Sequence, residues 1–330
     1  MKIAVIGSGS WGCAAAILLA GKGYDVYLWS WQQAETDRLE RDRENRDVLP
    51  GKHFPDNIVC SHDMPSCVDG AELIVTVVPS IATRPTAKQL SRCVKSGQML
   101  VNLSKGLEES TLMTLSAVYK EEIPQAKIAV MSGPSHAEEV SIGLPTVNVT
   151  ASYDSGVAAF VQDTFSTENF RVYTADDILG IELGGAIKNV IALCAGISDG
   201  IGYGDNTRAA LITRGNAEIT RLGIAMGAKA ETFAGLSGIG DLIVTCTSVH
   251  SRNHRAGMLL GEGLTLSETL DKVHMVVEGV NTARAAYALS QKYNVTMPIT
   301  EQAYKILFEG VNPKDAVRTL MLRDLKPEKN

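Results

Sequence analysis

The chain has 330 residues, which is long for a single hydrophobic core and predicts about two domains. Hydrophobic residues make up 45% of it and charged residues 21%, as in an ordinary soluble globular protein. The formal net charge of −6 argues against a nucleic-acid binder, and we expect no apolar run that approaches the roughly 20 residues of a membrane span. Six scattered cysteines without a C-x-x-C pair predict reduced thiols in a cytoplasmic protein, and the N-terminal apolar run is too short for a signal peptide.

The first half of the chain predicts alternating strands and helices. Short, nearly continuous apolar runs are typical of strands that are covered on both faces of a parallel sheet. These runs are KIAVIG, DVYLWS, AELIVTVVPS, QMLVNLS and KIAVMSGPS. A helix is predicted from about Ser10 to Leu19, and TVNVTA and FRVYTA are expected to complete the sheet near residue 175. The alternation predicts a doubly wound α/β domain over residues 1–175.

From Asp176 onward the pattern changes to helical periodicity with glycine-rich breaks. The clearest segments are NAEITRLGIAMG, TLSETLDKV, VNTARAAYALSQKY and ITEQAYKILF. Residues 176–330 are therefore predicted to form a second, mainly α-helical domain. The charged tail KPEKN is the one segment that we expect to be disordered.

A glycine motif follows the first predicted strand. Gly7, Gly9 and Gly12 form G-x-G-x-x-G between KIAVI and an alanine-rich helix. Gly7 allows the tight turn, Gly9 lets the backbone approach a pyrophosphate, and Gly12 permits close packing of helix on strand. The N–H groups at the helix N-terminus then face the anion. The motif predicts a binding site for NAD or NADP.

The residues after the second strand leave the choice between these two cofactors open. An acidic residue there would bind the ribose 2′-hydroxyl, and an arginine would favour a 2′-phosphate. The segment WSWQQ at residues 29–33 contains neither type, and Glu35 and Arg38 are expected on the next helix.

Polar loops also follow three later strands, at the edge where an open α/β sheet binds its ligands. Their residues are Pro79, Ser80, Lys105, Gly133, Ser135 and His136. Because these loops share one sheet edge with the glycine motif, we interpret them as parts of one site rather than as separate solvated loops.

An ammonium group stands in the middle of the apolar segment GGAIKNVIAL, at Lys188. Helical side chains lean toward the helix N-terminus, so Lys188 is expected over Gly184 and Gly185, with open space for a small ligand. A lysine that reaches water from a helix edge is the alternative. Asn189 is either a second substrate contact or a hydrogen-bonded core amide.

Two later segments predict an anion site. Asp241 follows a glycine-rich turn, and Ser251, Arg252 and Asn253 begin a predicted helix. An arginine, a hydroxyl, an amide and helix N–H groups together suit a phosphate, although a plain polar loop is the alternative. No carboxylate or cysteine set accompanies the nearby histidines, so no metal site is predicted.

At this point the chain resembles the bacterial type of NAD(P)-dependent glycerol-3-phosphate dehydrogenase. The resemblance covers essentially the whole sequence. It rests on GSGSWG, VPS, NLSKGLE, SGPSHAEEV, ELGGAIKNVIALCAGISDGIGYGDNTRAALITRG, GLSGIGDLIVTC, SRNHRAG and VEGVNTA. It implies an N-terminal α/β Rossmann domain and a mainly α-helical C-terminal domain, a 6-phosphogluconate-dehydrogenase-like fold with the active site between the two.

The resemblance also implies residue roles. Lys188 matches the catalytic lysine, which gives or takes a proton at the substrate C2 oxygen. Beside Asn189, substrate contacts are implied at Lys105, Gly133, Ser135, Lys188, Asp241, Ser251, Arg252 and Asn253. Beyond the glycine motif, cofactor contacts are implied at Ser10, Trp11, Trp31, Lys105, Ala137, Arg252, Val276 and Glu278. The family commonly has His or Arg at position 31, so Trp31 departs from its pattern and leaves NADPH or NADH preference undecided.

The implied reaction is reversible hydride transfer between NAD(P)H and dihydroxyacetone phosphate, giving sn-glycerol 3-phosphate for glycerophospholipid synthesis. Burial and Lys105 are expected to lower the pKa of Lys188, and Asp241 to raise it. A β-hydroxyacid dehydrogenase relative would share the lysine but have no use for a phosphate site at SRNHR. A non-catalytic dinucleotide sensor would need neither Lys188 nor Asp241. A homodimer is a further expectation.

Overall fold

A computed structural model describes residues 1–325 and 327–328 of the chain. Its first half is built on one eight-stranded sheet in the order β3-β2-β1-β4-β5-β6-β7-β8. The strands are β1 Lys2–Ile6, β2 Asp25–Trp29, β3 Ile58–Ser61, β4 Leu73–Thr76, β5 Met99–Asn102, β6 Lys127–Ser132, β7 Thr146–Ser152 and β8 Phe170–Ala175. Every predicted strand is confirmed.

The structure adds two features that the apolar runs did not predict. All neighbouring strands are parallel except β6 and β7, which pair antiparallel. The edge strand β3 has the sequence IVCS, in which buried and more exposed residues alternate. Four residues with that alternation carry too weak a signal to be recognised as a strand.

Helices cover both faces of the sheet. They are α1 Ser10–Gly21, α2 Gln33–Asp42, α3 Met64–Val68, α4 Thr83–Leu90, α5 Leu115–Glu122, α6 Ala137–Val140 and α7 Ser155–Phe165. Ile3 and Val5 belong to one buried cluster, and Ala4 and Ile6 belong to another. Because successive strand residues point to opposite faces, β1 is covered on both sides, which explains its continuous apolar run.

The second half of the chain is helical. Its helices are α8 Ile178–Ile201, α9 Asp205–Met226, α10 Ala230–Phe233, α11 Asp241–Thr247, α12 Arg252–Gly261, α13 Leu266–Val273, α14 Glu278–Lys292, α15 Pro298–Glu309 and α16 Pro313–Met321. The change from strands to helices falls between Ala175 and Ile178, next to the predicted domain boundary. Of the tail KPEKN, Lys326, Lys329 and Asn330 lie outside the described residues.

Helix α8 is the core of this half. By length and composition it could cross a membrane, so the expectation of no such apolar run was wrong; however, 89% of its apolar window is buried inside the protein. A Cβ on Gly196 would lie 2.0 Å from the backbone oxygen of His254, and one on Gly200 would lie 2.2 Å from that of Met258. The two glycines therefore let α12 pack backbone to backbone on α8, which brings the start of α12 beside Lys188.

Candidate active site

A cleft of about 420 Å³ lies at the carboxyl ends of the parallel strands, against α8, α11 and α12. Loops of the sheet line one side, and helices of the second half line the other. Most of the predicted site residues line this cleft: Gly9, Ser10, Trp11, Gly12, Lys105, Ser135, Ala137, Lys188, Asn189, Asp241, Ser251, Arg252, Asn253, Val276 and Glu278. The structure thus brings together residues that lie more than 250 positions apart.

Four predicted residues do not line the cleft, namely Gly7, Trp31, Ser80 and Gly133. Gly7 forms the buried turn behind the glycine loop with a φ of 120°. Gly133 has a φ of 148°, and its carbonyl oxygen accepts a hydrogen bond of 3.0 Å from Lys105 Nζ. Trp31 follows β2 and is 68% exposed. Gly7 and Gly133 therefore shape the site through the backbone, and Trp31 stands apart from it.

The glycine loop has the geometry of a pyrophosphate cradle. A Cβ on Gly7 would lie 2.4 Å from the Val77 oxygen, and one on Gly12 would lie 1.9 Å from the Gly7 oxygen. Both positions are therefore restricted to glycine by packing. Gly9 is different, since a Cβ there would meet no atom within 4 Å and would project into open space at the N-terminus of α1. The residues present fit a bound dinucleotide, whose pyrophosphate would take that space.

Opposite the loop, one carboxylate joins two lysines. Asp241 Oδ1 accepts a hydrogen bond of 2.5 Å from Lys188 Nζ, and Asp241 Oδ2 accepts one of 2.5 Å from Lys105 Nζ. Lys188 is 5% exposed and Asp241 is 1% exposed. The cluster carries a net positive charge in a nearly dry environment, which suits an oxygen atom on which negative charge develops.

Burial lowers the pKa of Lys188 to about 8; Asp241 works to raise this pKa, and Lys105 lowers it further. These directions are the predicted ones, and desolvation is the largest of the three. Burial alone would raise the pKa of Asp241, but Lys105 and Lys188 together hold this pKa below its ordinary value. The carboxylate therefore stays charged while Lys188 titrates near neutral pH.

The open space predicted over Gly184 and Gly185 does not exist. A Cβ on Gly184 would lie 2.6 Å from the Ser237 oxygen, in the kinked turn Leu236–Gly240 that precedes α11. A Cβ on Gly185 would lie 2.8 Å from Ser132 Oγ at the end of β6, whereas its distance of 3.5 Å to Lys105 Cγ is an ordinary contact. Gly184 thus admits the turn that leads to Asp241 on α11, and Gly185 lets α8 lie close to the end of β6.

Thr245 is a site residue that the sequence analysis missed. Its hydroxyl accepts a hydrogen bond of 2.6 Å from Lys188 Nζ and donates one of 2.6 Å to the Asp241 backbone oxygen. Thr245 lies four residues after Asp241 on α11, so the i, i+4 spacing was the available signal. With two acceptors on Nζ, the position of the ammonium is fixed.

The two predicted asparagines bond to each other. Asn189 Oδ1 accepts a hydrogen bond of 3.0 Å from Asn253 Nδ2, and Asn253 Oδ1 accepts one of 2.8 Å from the Gly279 backbone N–H. Both side chains still line the cleft. Asn189 therefore shows the bonding expected of a core amide while it retains a face toward the cleft.

Arg252 occupies the first position of α12, where the Ser251 hydroxyl caps the helix by accepting from the His254 N–H at 3.2 Å. The predicted helix start is confirmed. Burial lowers the pKa of Arg252, an effect that Glu278 opposes. Glu278 itself accepts hydrogen bonds from the Ser80 N–H at 2.9 Å and from the Ser80 hydroxyl at 2.6 Å. Within the described residues no carboxylate forms an ion pair with Arg252, so its guanidinium is available to an anion.

His136 was noted only as a polar residue at a strand end. Its ring lies 5.8 Å from that of His250 in the cleft, and its buried Nε2 has no hydrogen-bond partner in the described part of the chain. Burial lowers the pKa of His136, and Lys188 adds to this. The ring is therefore neutral at physiological pH. In the same part of the chain, no group of three or more His, Cys, Asp or Glu side chains is arranged to hold a metal ion.

Such a cleft offers a dinucleotide cradle on one side and a proton-carrying lysine on the other. That combination places the chain among the NAD(P)-dependent dehydrogenases.

Comparisons with known proteins give the family. Residues 2–158 match the model of the NAD-dependent glycerol-3-phosphate dehydrogenase N-terminus, and residues 177–318 match that of its C-terminus. The glycerol-3-phosphate dehydrogenase [NAD(P)+] of Agathobacter rectalis is 53% identical over 99% of this chain and 97% of its own. That of Desulfitobacterium hafniense is 54% identical over 99% of this chain and 93% of its own. The chain therefore belongs to the NAD-dependent glycerol-3-phosphate dehydrogenase family.

A comparison with solved structures gives the same family. The crystal structure of glycerol-3-phosphate dehydrogenase from Coxiella burnetii superposes with a TM-score of 0.95 at 39% identity, covering 98% of this chain and 99% of that one. D-mandelate dehydrogenase has a TM-score of 0.64 at 14% identity, which shows a likeness of fold alone. The predicted fold class, a Rossmann domain with a helical partner, is confirmed.

Proposed function

We propose that this protein interconverts dihydroxyacetone phosphate and sn-glycerol 3-phosphate with NAD(P)H or NAD(P)⁺. The names of its relatives, glycerol-3-phosphate dehydrogenase [NAD(P)+], support this proposal. The observation that carries the proposal is the charge pattern of the cleft. A buried lysine cluster with one net positive charge shares the cleft with Arg252, which has no carboxylate in ion-pair contact within the described residues. A small substrate with a reacting oxygen at one end and a phosphate at the other matches these two positions.

Hydride transfer at C2 is the chemistry that a bound nicotinamide supplies. Lys188 serves the oxygen of the same carbon. In reduction, protonated Lys188 stabilises the developing alkoxide and gives it a proton; in oxidation, neutral Lys188 removes that proton. A pKa of about 8 makes both forms of Lys188 available near neutral pH. Asp241 and Thr245 hold Nζ in place, and the low exposure of Lys188 keeps water from competing.

Arg252 is the proposed phosphate ligand. A guanidinium binds phosphate oxygens in a bidentate manner, and the free N–H groups at the start of α12 add a second source of positive potential. Ser251 and Asn253 flank Arg252 and line the same cleft. The phosphate would therefore lie at the α12 end of the cleft and the reacting carbon at the Lys188 end.

We propose, in addition, that residues 1–175 bind the dinucleotide and that residues 176–330 carry most of the substrate site. Strand β8, the last strand of the sheet, ends at Ala175, and the family model of the C-terminus matches from residue 177. Both observations support this division. All six cysteines are free thiols, which supports a cytoplasmic location. A homodimer and a role in supplying glycerophospholipid synthesis stay expectations from the family.

The decisive assay follows the loss of nicotinamide absorbance with dihydroxyacetone phosphate, using NADPH and NADH in parallel. Dihydroxyacetone without phosphate is the matched substrate control. We expect turnover with the phosphorylated ketone and a large loss of kcat/KM without the phosphate. No turnover with either cofactor would contradict the proposal and favour a β-hydroxyacid dehydrogenase or a dinucleotide sensor.

A further inference from the structure

The side chain of Glu35 reaches back from α2 to the glycine loop. Its Oε2 accepts a hydrogen bond of 3.1 Å from the Ser8 hydroxyl and a second, short one from the Ser30 hydroxyl. Ser8 is the residue between Gly7 and Gly9, and Ser30 directly follows β2. The carboxylate thus lies where β1, β2 and the loop meet, although Glu35 is part of a helix.

This carboxylate is held in place from both sides. Ser30 is fully buried and Ser8 is 7% exposed. The Ser8 backbone oxygen accepts a hydrogen bond of 2.8 Å from Asn45 Nδ2, and the Ser30 N–H donates one of 3.1 Å to the Ser61 oxygen. Since both serines are anchored, they fix the orientation of Glu35.

Glu35 keeps capacity for a ligand. A carboxylate offers about four acceptor positions, and Glu35 uses two of them, both on Oε2. Within the described part of the chain, Oε1 accepts no hydrogen bond, and the residue is only partly buried. An acceptor therefore faces outward beside the loop that would hold the pyrophosphate.

The arginines on α2 and directly after it are engaged elsewhere. Arg38 pairs with Asp47 at 2.6 Å, and Arg41 pairs with its neighbour Asp42 at 2.7 Å. Arg43, the first residue after the helix, donates to the backbone oxygens of Pro55 and Ile58 at 2.7 Å. A 2′-phosphate, with a charge of about −1.5 to −2, would meet the Glu35 carboxylate without a dedicated cation.

We propose that Glu35 accepts hydrogen bonds from the ribose hydroxyls of the adenosine half of the cofactor and repels a 2′-phosphate, so that this protein prefers NAD(H) to NADP(H). The proposal rests on the dinucleotide site of the proposed function but not on its substrate. The segment WSWQQ contains no acidic residue to bind the ribose, and in this proposal Glu35 on the following helix takes that role.

The test measures cofactor binding without substrate, through the fluorescence of the reduced nicotinamide on titration with the full-length protein. We expect NADH to bind at least about tenfold more tightly than NADPH, since a like charge at ribose distance costs on this order. Glu35→Gln keeps the shape and removes the charge. We expect it to reduce the preference for NADH by about tenfold, mainly through tighter binding of NADPH.

Asp37→Asn is the matched control, because Asp37 lies on the same helix, is exposed and bonds only to Gln33 among the described residues. We expect the ratio of NADH affinity to NADPH affinity in this variant to equal that of the wild type. An equal shift in both variants would mean that general charge rather than the ribose contact sets the ratio, and it would overturn the proposal.

The ratio of NADH affinity to NADPH affinity in the wild-type protein is also a test, and it does not depend on how any variant folds. NADPH binding that equals or exceeds NADH binding would overturn the assignment of Glu35 while leaving the proposed reaction intact. Failure of both cofactors to bind would instead overturn the dinucleotide site and the proposed function with it.

Discussion

Asp241→Asn is the most informative perturbation of the lysine cluster. The change removes the one negative charge between Lys188 and Lys105 and preserves the size of the side chain. The Lys188 ammonium then loses an opposite charge at 2.5 Å and still faces Lys105. Loss of a neighbouring opposite charge typically shifts a pKa by about 1–3 units, so the pKa of Lys188 should fall from about 8 to roughly 5–7.

The kinetic consequence has opposite signs in the two directions. In oxidation neutral lysine is the base, so kcat/KM should rise with pH through the pKa of Lys188, with a midpoint near pH 8 in the wild type. In the variant the midpoint should move to lower pH. If the pKa falls to about 6, the protonated fraction at pH 7 drops from about nine-tenths to about one-tenth, and reduction slows by about tenfold from this cause alone.

The assay is a pair of pH–rate profiles, for oxidation of glycerol 3-phosphate and reduction of dihydroxyacetone phosphate. Asp199→Asn is a suitable control, because Asp199 pairs with Arg208 at 3.0 Å and with His254 at 2.7 Å, outside the lysine cluster. Its midpoint should stay near that of the wild type. A midpoint that does not move in Asp241→Asn would refute the claim that this carboxylate supports the pKa of Lys188.

The same variant should lose stability in a pH-dependent way. Breaking a buried ion pair costs about 3–5 kcal/mol, because a charge remains without its partner. The folded-state pKa of Lys188, about 8, lies below the unfolded value of about 10.4, so its unfavourable contribution is complete at low pH and is relieved as pH rises through this window. Asp241→Asn lowers the folded-state pKa and should begin this relief at lower pH, which thermal unfolding at several pH values would show.

Three further predictions concern single residues. Lys188→Ala should cut turnover by at least about 10²-fold with cofactor affinity nearly unchanged, as steady-state kinetics and NADH titration would show; near-normal turnover would exclude its acid–base role. Arg252→Ala should raise KM for dihydroxyacetone phosphate by roughly 10–100-fold, because charge-assisted hydrogen bonds to the phosphate are lost, and an unchanged KM would reject that role. Gly9→Ala should weaken NADH binding without loss of thermal stability, since its Cβ meets only the open space of the cradle. Gly21→Ala, also without neighbours within 4 Å, is its control and should bind NADH normally.

Local sequence patterns were sufficient for the elements and for the glycine loop. Strands covered on both faces must be apolar throughout, so β1 and β4 to β6 were recognisable from composition. A side chain fits neither the tight turn at Gly7 nor the close contact at Gly12, so the spacing of the glycines alone predicts the shape of the loop. The edge strand β3 and the antiparallel direction of β7 have no comparable signal in the sequence, because they depend on pairing between distant segments.

The sequence by itself therefore determined the Rossmann half, the helical half and most of the residue types in the cleft. Only the tertiary structure decided how Lys188 is used. Its neighbours Lys105, Asp241 and Thr245 come from other loops and helices. Gly184 and Gly185 face the turn before α11 and the end of β6 rather than a ligand. Glu35 gives the same lesson, since a helical residue reaches a loop 27 positions earlier in the chain. The pKa of Lys188 and the orientation of the Glu35 carboxylate depend on distances between groups in the folded protein. These distances cannot be read from the spacing of residues along the chain.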